Sequence, residues 1–154
     1  MERAIAKLML LPDQMRVVAC SSATSALEAL VALEEEKAGY PLRWVLPAYT
    51  FPSSLCACRG SSVVMDVDDD GQFSLAALGA LPKSSYDAVL ATNLFGRNQR
   101  LENLVAFCQA HGKALVLDNA TGFDAKLQRE ANWPSEAISF HHTKVWGMGE
   151  GGCV

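Results

Sequence analysis

Residues 139–152, Ser-Phe-His-His-Thr-Lys-Val-Trp-Gly-Met-Gly-Glu-Gly-Gly, hold the side chains best suited to chemistry. A short apolar run over residues 137–140 leads in as a buried strand does. Polar residues follow, then one lysine, then glycine at four of the last six positions. The sequence predicts that Lys144 packs among Phe140, Val145 and Trp146 and is partly desolvated. Burial disfavours the charged form of an amine. An amine tuned in that way attacks carbonyl carbon, and its usual partner is an aldehyde cofactor. The plainer alternative is a surface lysine in a glycine-rich loop.

Positioning such a lysine takes a scaffold, and the chain supplies a repeating one. Ala4, Ile5, Leu8, Met9 and Leu11 predict a helix over residues 3–11, ended by Pro12. Residues 16–20 read as a short buried strand. Small polar residues 21–25 then open a long helix to about Ala38, with Leu27, Leu30, Val31 and Leu33 inward and Gly39 as the stop. The alternation continues with strands at 43–46, 62–67, 88–91 and 113–117. Helices are predicted at 51–59, from Ser74 to about Leu81, and at 101–110, the last with Leu104, Val105 and Phe107 inward. Alternating apolar strands and amphipathic helices predict a three-layer α/β/α sandwich around a doubly wound, mainly parallel sheet. Ligands of such sheets sit beyond the carboxyl ends of the strands. Five segments fall there: 21–25, 47–51, 93–96, 118–121 and 139–144.

Composition agrees with one folded domain. The chain has 154 residues, 50% apolar and 19% charged, with a net charge of −4. No basic cluster points to nucleic acid or a membrane surface. No apolar run approaches the ~18 residues of a membrane span, and no secretory signal is visible. The five cysteines are odd in number and form no CxxC pair, which predicts reduced, buried thiols in a cytoplasmic protein.

Each strand-end segment carries a chemical reading beside a plainer one. Residues 21–25 join a strand to a helix, where free N–H groups and the helix dipole favour an anion, commonly phosphate. An ordinary serine cap is the alternative. Neither dinucleotide nor ATP is indicated, since both glycine-rich phosphate fingerprints are missing. Asp118 ends a strand and could hold a pyridinium N–H, or simply bond neighbouring N–H groups or a metal. Phe51 could stack on a flat ring, or pack in the core. Asp66, Asp68, Asp69 and Asp70 read as a solvated turn before Gly71. His141 and His142 could bind a substrate phosphate or relay protons. They are not expected to share a metal, because adjacent residues of a strand point to opposite faces. Cys56 and Cys58 read as packing residues.

Taken together, these segments resemble the sugar aminotransferases of the DegT/DnrJ/StrS type, pyridoxal-phosphate enzymes of fold type I. Ser22-Ala23-Thr24-Ser25-Ala26-Leu27 is similar to that family's N-G-T-x-A-L motif, and Leu46-Pro47-Ala48-Tyr49-Thr50-Phe51 to its P-x-x-T-[FW]. Asn93-Leu94-Phe95-Gly96 resembles [HN]-L-[FY]-G, and Leu117-Asp118-Asn119-Ala120 sits at E-D-A-A. Residues 139–152 are similar to S-F-[HY]-x-T-K…G-E-G-G. The order and spacing of the five motifs make the resemblance specific.

The resemblance implies pyridoxal 5'-phosphate as cofactor. It implies that Lys144 joins the cofactor aldehyde and moves the proton between cofactor and substrate carbons, while Asp118 pairs with the pyridine nitrogen. Ala23, Thr24 and Ser139 would hold the phosphate and Phe51 would cover the ring. Thr121 stands where relatives have Gln or His near the phenolic oxygen. The implied reaction moves an amino group from a glutamate-type donor to a nucleotide-linked keto-sugar, in a homodimer or larger assembly. Some relatives carry His in place of the lysine and are dehydratases; Lys144 favours amino transfer. An inert relative, or a non-enzymatic α/β domain that binds a phosphorylated ligand, are the alternatives. Departures are Ala23 for the usual glycine, Thr121, His142 for Pro and Val145 for Asn. Against the family the chain corresponds to most of the large, cofactor-binding domain without the small C-terminal one. It reads as a piece of a longer chain that self-associates. The family pattern also predicts a strand from Gly152, antiparallel, in the middle of the sheet beside the first strand.

Overall fold

The structure is a computed structural model of the whole chain, and it describes residues 1–58, 62–69, 71, 73–95, 101–122 and 133–154. Arg59, the last residue of the helix expected over 51–59, and Asp70 and Gly96 lie outside the described residues. In chain order the elements are α1 (Glu2–Leu8), β1 (Ala19–Cys20), α2 (Ala23–Ala38), β2 (Trp44–Pro47), α3 (Pro52–Ala57) and β3 (Ser62–Met65). They continue with α4 (Leu75–Ala80), β4 (Ala88–Thr92), α5 (Leu101–Ala110), β5 (Ala114–Asp118), β6 (Ser135–Ser139) and β7 (Gly152–Cys153). The sheet order is β1-β7-β6-β5-β4-β2-β3. Strands β2 to β6 pair in parallel, and β7 runs antiparallel to both β6 and β1.

Period-two alternation divides the strands between two cores. Trp44, Leu46, Ala88, Leu90, Val116 and Ala137 pack with Ala26, Leu27, Leu30 and Val31 of α2 and Ala57 of α3. Val45, Val89, Ala91 and Leu117 face the other way, onto Leu78 of α4 and Leu101, Leu104, Val105 and Cys108 of α5. Ile5 and Met9 of the α1 segment close a third cluster over Ile138, Phe140 and Cys153. The result is the expected helix–sheet–helix layering. Burial pushes the Cys58, Cys108 and Cys153 thiols up to about 12, so these three pack as thiols. Cys56, expected to pack, is exposed.

The long helix forms where capping chemistry places it. Ser22 Oγ accepts the Ser25 N–H at 3.1 Å, and Ser25 Oγ accepts the Ser22 N–H at 3.0 Å, a reciprocal cap. At the other end Gly39 adopts φ 79°, a left-handed conformation that glycine reaches without steric cost. Leu33, expected inward, is 43% exposed; the buried stripe runs along residues 26, 27, 30 and 31 instead.

Three further expectations change. The strand over 16–20 shortens to Ala19–Cys20, because Arg16 turns back to donate to the Asp13 and Met15 carbonyls. Helix α1 stops at Leu8, and Leu10 takes φ 53°. Strand β7 is not central. Among the described residues it is second from one end, and β1, which pairs with β7, is the edge.

β7 reaches its place by passing very close to α2. A Cβ on Gly152 would lie 2.6 Å from Ala23 N, 2.7 Å from Ile138 O and 2.7 Å from Ser22 C. All three are backbone atoms that cannot swing away. Gly152→Ala is therefore expected to destabilise the fold by about 1–3 kcal/mol. Gly79→Ala, inside α4 with nothing within 4 Å, is expected to be neutral or to gain up to about 1 kcal/mol. Urea denaturation of both variants measures the contrast; equal effects would contradict the close approach.

Candidate functional site

A cavity of about 730 Å³ opens at the carboxyl ends of the parallel strands, on the α2 side of the sheet. Volumes of this order suit a small-molecule ligand. The five strand-end segments converge on it. Ala23, Thr24, Phe51, Asp118, Thr121, Ser139 and Lys144 all line it. Register brings the inner ones together: Thr92 pairs with Asp118 and Asp118 with Ala137, so Thr92, Asp118 and Ser139 project from one face.

Asp118 is 3% exposed. Ser54 Oγ donates to its Oδ2 at 2.6 Å and the Ala120 N–H to its Oδ1 at 3.2 Å. Behind Ser54, Thr50 Oγ1 donates to Ser54 Oγ at 3.1 Å, and Thr92 Oγ1 lies 2.8 Å from Thr50 Oγ1. Since the Thr50 proton is directed to Ser54, Thr92 donates to Thr50. The three hydroxyl protons thus point in sequence toward the carboxylate, an arrangement in which each bond polarises the next. Even so, burial holds the Asp118 carboxyl above the usual carboxylate range; the Ser54 and Ala120 donors and the Lys144 ammonium pull it back only in part.

Lys144 lies on a turn that folds back along β6. Phe140 N–H donates to Gly151 O, Met148 N–H to Phe140 O, and His142 N–H to Gly149 O, each at 2.9 Å. The turn needs a glycine at 147, where a Cβ would meet His142 O at 2.6 Å. Lys144 is half-buried, but not among the residues expected. Val145 is 66% exposed, while Phe140 and Trp146 pack toward α1. The Lys144 Nζ instead lies 6.0 Å from the centroid of the Phe51 ring. Phe51 itself is 64% exposed, so it is a cavity wall and not a core residue.

At the helix end, Ala23 and Thr24 are the first two residues of α2. Ser139, buried, accepts the His141 N–H at 3.3 Å, and among the described residues its own proton has no acceptor. Thr121 directs its proton to the Asn93 carbonyl at 2.6 Å, leaving its lone pairs for other contacts. The two histidines do not point to opposite faces as expected. Strand β6 ends at Ser139, the chain turns, and the two rings lie 4.2 Å apart.

Ser54 is the main residue that sequence reasoning missed. Its signal was present: Ser54, Ala57 and Cys58 are buried together at i, i+3 and i+4, one helix face. A serine on a buried face implies a buried partner. Asn93 and Asn119 fell within the segments singled out but were given no role of their own. Asn93 Nδ2 donates to Asn119 Oδ1 at 3.0 Å, and Asn119 Nδ2 to Glu136 Oε2 at 2.6 Å, bracing the turn that carries Thr121.

The chain matches the DegT/DnrJ/EryC1/StrS aminotransferase family over residues 1–154. Among solved structures it superposes on 3-amino-5-hydroxybenzoic acid synthase with a TM-score of 0.79 and 24% identity, over 99% of this chain and 40% of that one. It superposes on DesI, solved in the presence of its TDP-sugar product, with a TM-score of 0.74 and 26% identity, over 99% and 39%. For NtdA of Bacillus subtilis, with bound cofactor PMP, the values are 0.78 and 18%, over 99% and 35%. The chain thus spans about two fifths of the length of the structures it matches.

The raised Asp118 carboxyl sets a pH dependence. Between the unfolded value of 3.8 and the higher folded value, the native state holds more protons than the unfolded state. Stability therefore falls as pH rises through that window and is level above it. Asp118→Asn removes the loss. The difference in unfolding free energy between variant and wild type, measured in urea without cofactor, is expected to move in the variant's favour from pH 3.8 upward and then flatten. A pH-independent difference would contradict the assignment.

Proposed function

The chain belongs to the DegT/DnrJ/EryC1/StrS aminotransferase family, and from that premise we propose that its cavity holds pyridoxal 5'-phosphate for amino-group transfer. The observation that carries this reading is the placing of Lys144 and Asp118 in one cavity, with the carboxylate buried at its wall and its burial offset only in part by its two donors and by Lys144. The donor set fits the group. A buried carboxylate held by two donors has capacity left for a ring N–H. Exposed Phe51 offers a flat wall, and α2 offers a helix N-terminus for a phosphate.

Bound there, pyridoxal phosphate supplies an electron-withdrawing ring that stabilises negative charge on the carbon beside the transferred nitrogen. The rest is the work of this chain. Asp118 accepts the ring N–H and holds that nitrogen protonated. The Lys144 amine would hold the aldehyde carbon, water leaving as that bond forms, and, once displaced by the incoming amine, would carry a proton at Nζ to and from the reacting carbon. Ala23 and Thr24 present N–H groups and a hydroxyl to the phosphate, and Ser139 donates its free proton to it. Phe51 flanks the ring and excludes water from that side. Thr121, with its proton committed to Asn93, would meet the cofactor as an acceptor.

By family resemblance the acceptor is a nucleotide-linked keto-sugar and the donor a glutamate-type amino acid. The chain corresponds to most of the large domain of a longer cytoplasmic enzyme. Exposed Tyr49, Phe95, Val145 and Met148, on segments bordering the cavity, support a homodimer or larger assembly in which turnover takes place.

Mixing the protein with pyridoxal phosphate is expected to give a visible absorption band that borohydride removes, with one pyridoxyl group left on the peptide containing Lys144. Lys144→Ala, shown to be folded by circular dichroism, is expected to lose both. Equal labelling of wild type and variant would overturn the lysine assignment.

A further inference from the structure

Outside these roles, one cluster of ligand-bearing side chains stands at the cavity rim. His141, His142 and Glu150 each offer one donor atom, and these atoms lie within 4.8 Å of one another. We propose that His141, His142 and Glu150 form an open binding site for a divalent transition metal of the zinc class. The inference is independent of the cofactor reading.

The turn makes the site. His142 N–H donates to Gly149 O at 2.9 Å, and His141 forms a parallel bridge to Gly149, so two adjacent histidines and a glutamate eight residues on meet where the loop closes on itself. His141 Nε2 lies 3.6 Å from Glu150 Oε1. Ligands ~2.0–2.2 Å from a tetrahedral zinc are about 3.4 Å apart, so that pair is nearly at binding distance. His142 and Glu150 are exposed, and their side chains can close the remaining gap by rotation. Thr143 Oγ1 sits 2.8 Å from His141 Nδ1. An oxygen at the far nitrogen orients a ligating imidazole and leaves Nε2 for the metal. In the metal-free ring the Thr143 N–H donates to Nδ1 at 3.3 Å; metal at Nε2 requires the ring proton on Nδ1, which then donates to the hydroxyl in place of that longer bond.

The donor set selects the ion. Two imidazoles and one carboxylate suit zinc, cobalt, nickel or copper, whereas magnesium and calcium favour oxygen ligands alone. Three protein ligands leave one position open. His141 and Glu150 line the cavity, so the open position takes water or an anionic oxygen from that side.

Cobalt(II) is the probe, followed by its visible ligand-field bands, with zinc chloride titrated by calorimetry. Wild type is expected to bind one ion per chain. His142→Ala and Glu150→Gln, with unchanged circular dichroism, are expected to bind at least tenfold more weakly. Cys56→Ser, which removes the exposed thiol, is expected to bind as wild type does. No ligand-field bands in wild type, wild-type affinity in His142→Ala, or loss of binding in Cys56→Ser would each overturn the proposal.

Discussion

A carboxylate held out of water is the constraint on which the rest of this molecule depends. Removing an ionised carboxylate from solvent costs several kcal/mol even after the surroundings relax. Asp118 is 3% exposed, and two donors offset only part of that cost. A sheet optimised for stability alone would carry an apolar residue there, as the neighbouring positions of β5 do. The fold tolerates the charge because Ser54, Thr50 and Thr92 align their protons toward it. What they leave unsatisfied faces the cavity that the half-buried Lys144 also lines.

Parallel topology explains why such a carboxylate meets a lysine 26 residues later in the chain. Every parallel strand delivers its carboxyl end to the same edge of the sheet. The registers of β4, β5 and β6 then set depth, and alternation sets the face. Asp118 and Ser139 end up on the α2 side because they share parity with Val116 and Ala137, not because of any attraction between them. The antiparallel β7 adds the last requirement. It brings the loop that carries Lys144 back against α2, and Gly152 lets the two backbones touch.

Much of this was legible in the residues. The small polar residues 21–25 and Gly39 bounded α2 because capping chemistry is local. Strands β2, β4 and β5 were legible because burial on both faces leaves a continuous apolar run. The five cavity segments were legible because each followed a strand. What failed was non-local. The extent of β1 depends on Arg16 folding back and on how much of β7 lies beside it. The rim histidines were misjudged because nothing near them marks the end of β6 at Ser139. Val145 and Phe140 read as neighbours of Lys144 by proximity in sequence, yet the turn sends one to solvent and the other to α1. Ser54 escaped notice because its partner is 64 residues away.

The central claim is that Asp118 is shaped to keep one heterocyclic nitrogen protonated. Nitrogen-15 NMR of the protein loaded with pyridoxal phosphate labelled at the ring nitrogen reads this directly. The account predicts a protonated nitrogen near neutral pH in wild type and an unprotonated one in Asp118→Asn. The same chemical shift in both proteins would contradict it.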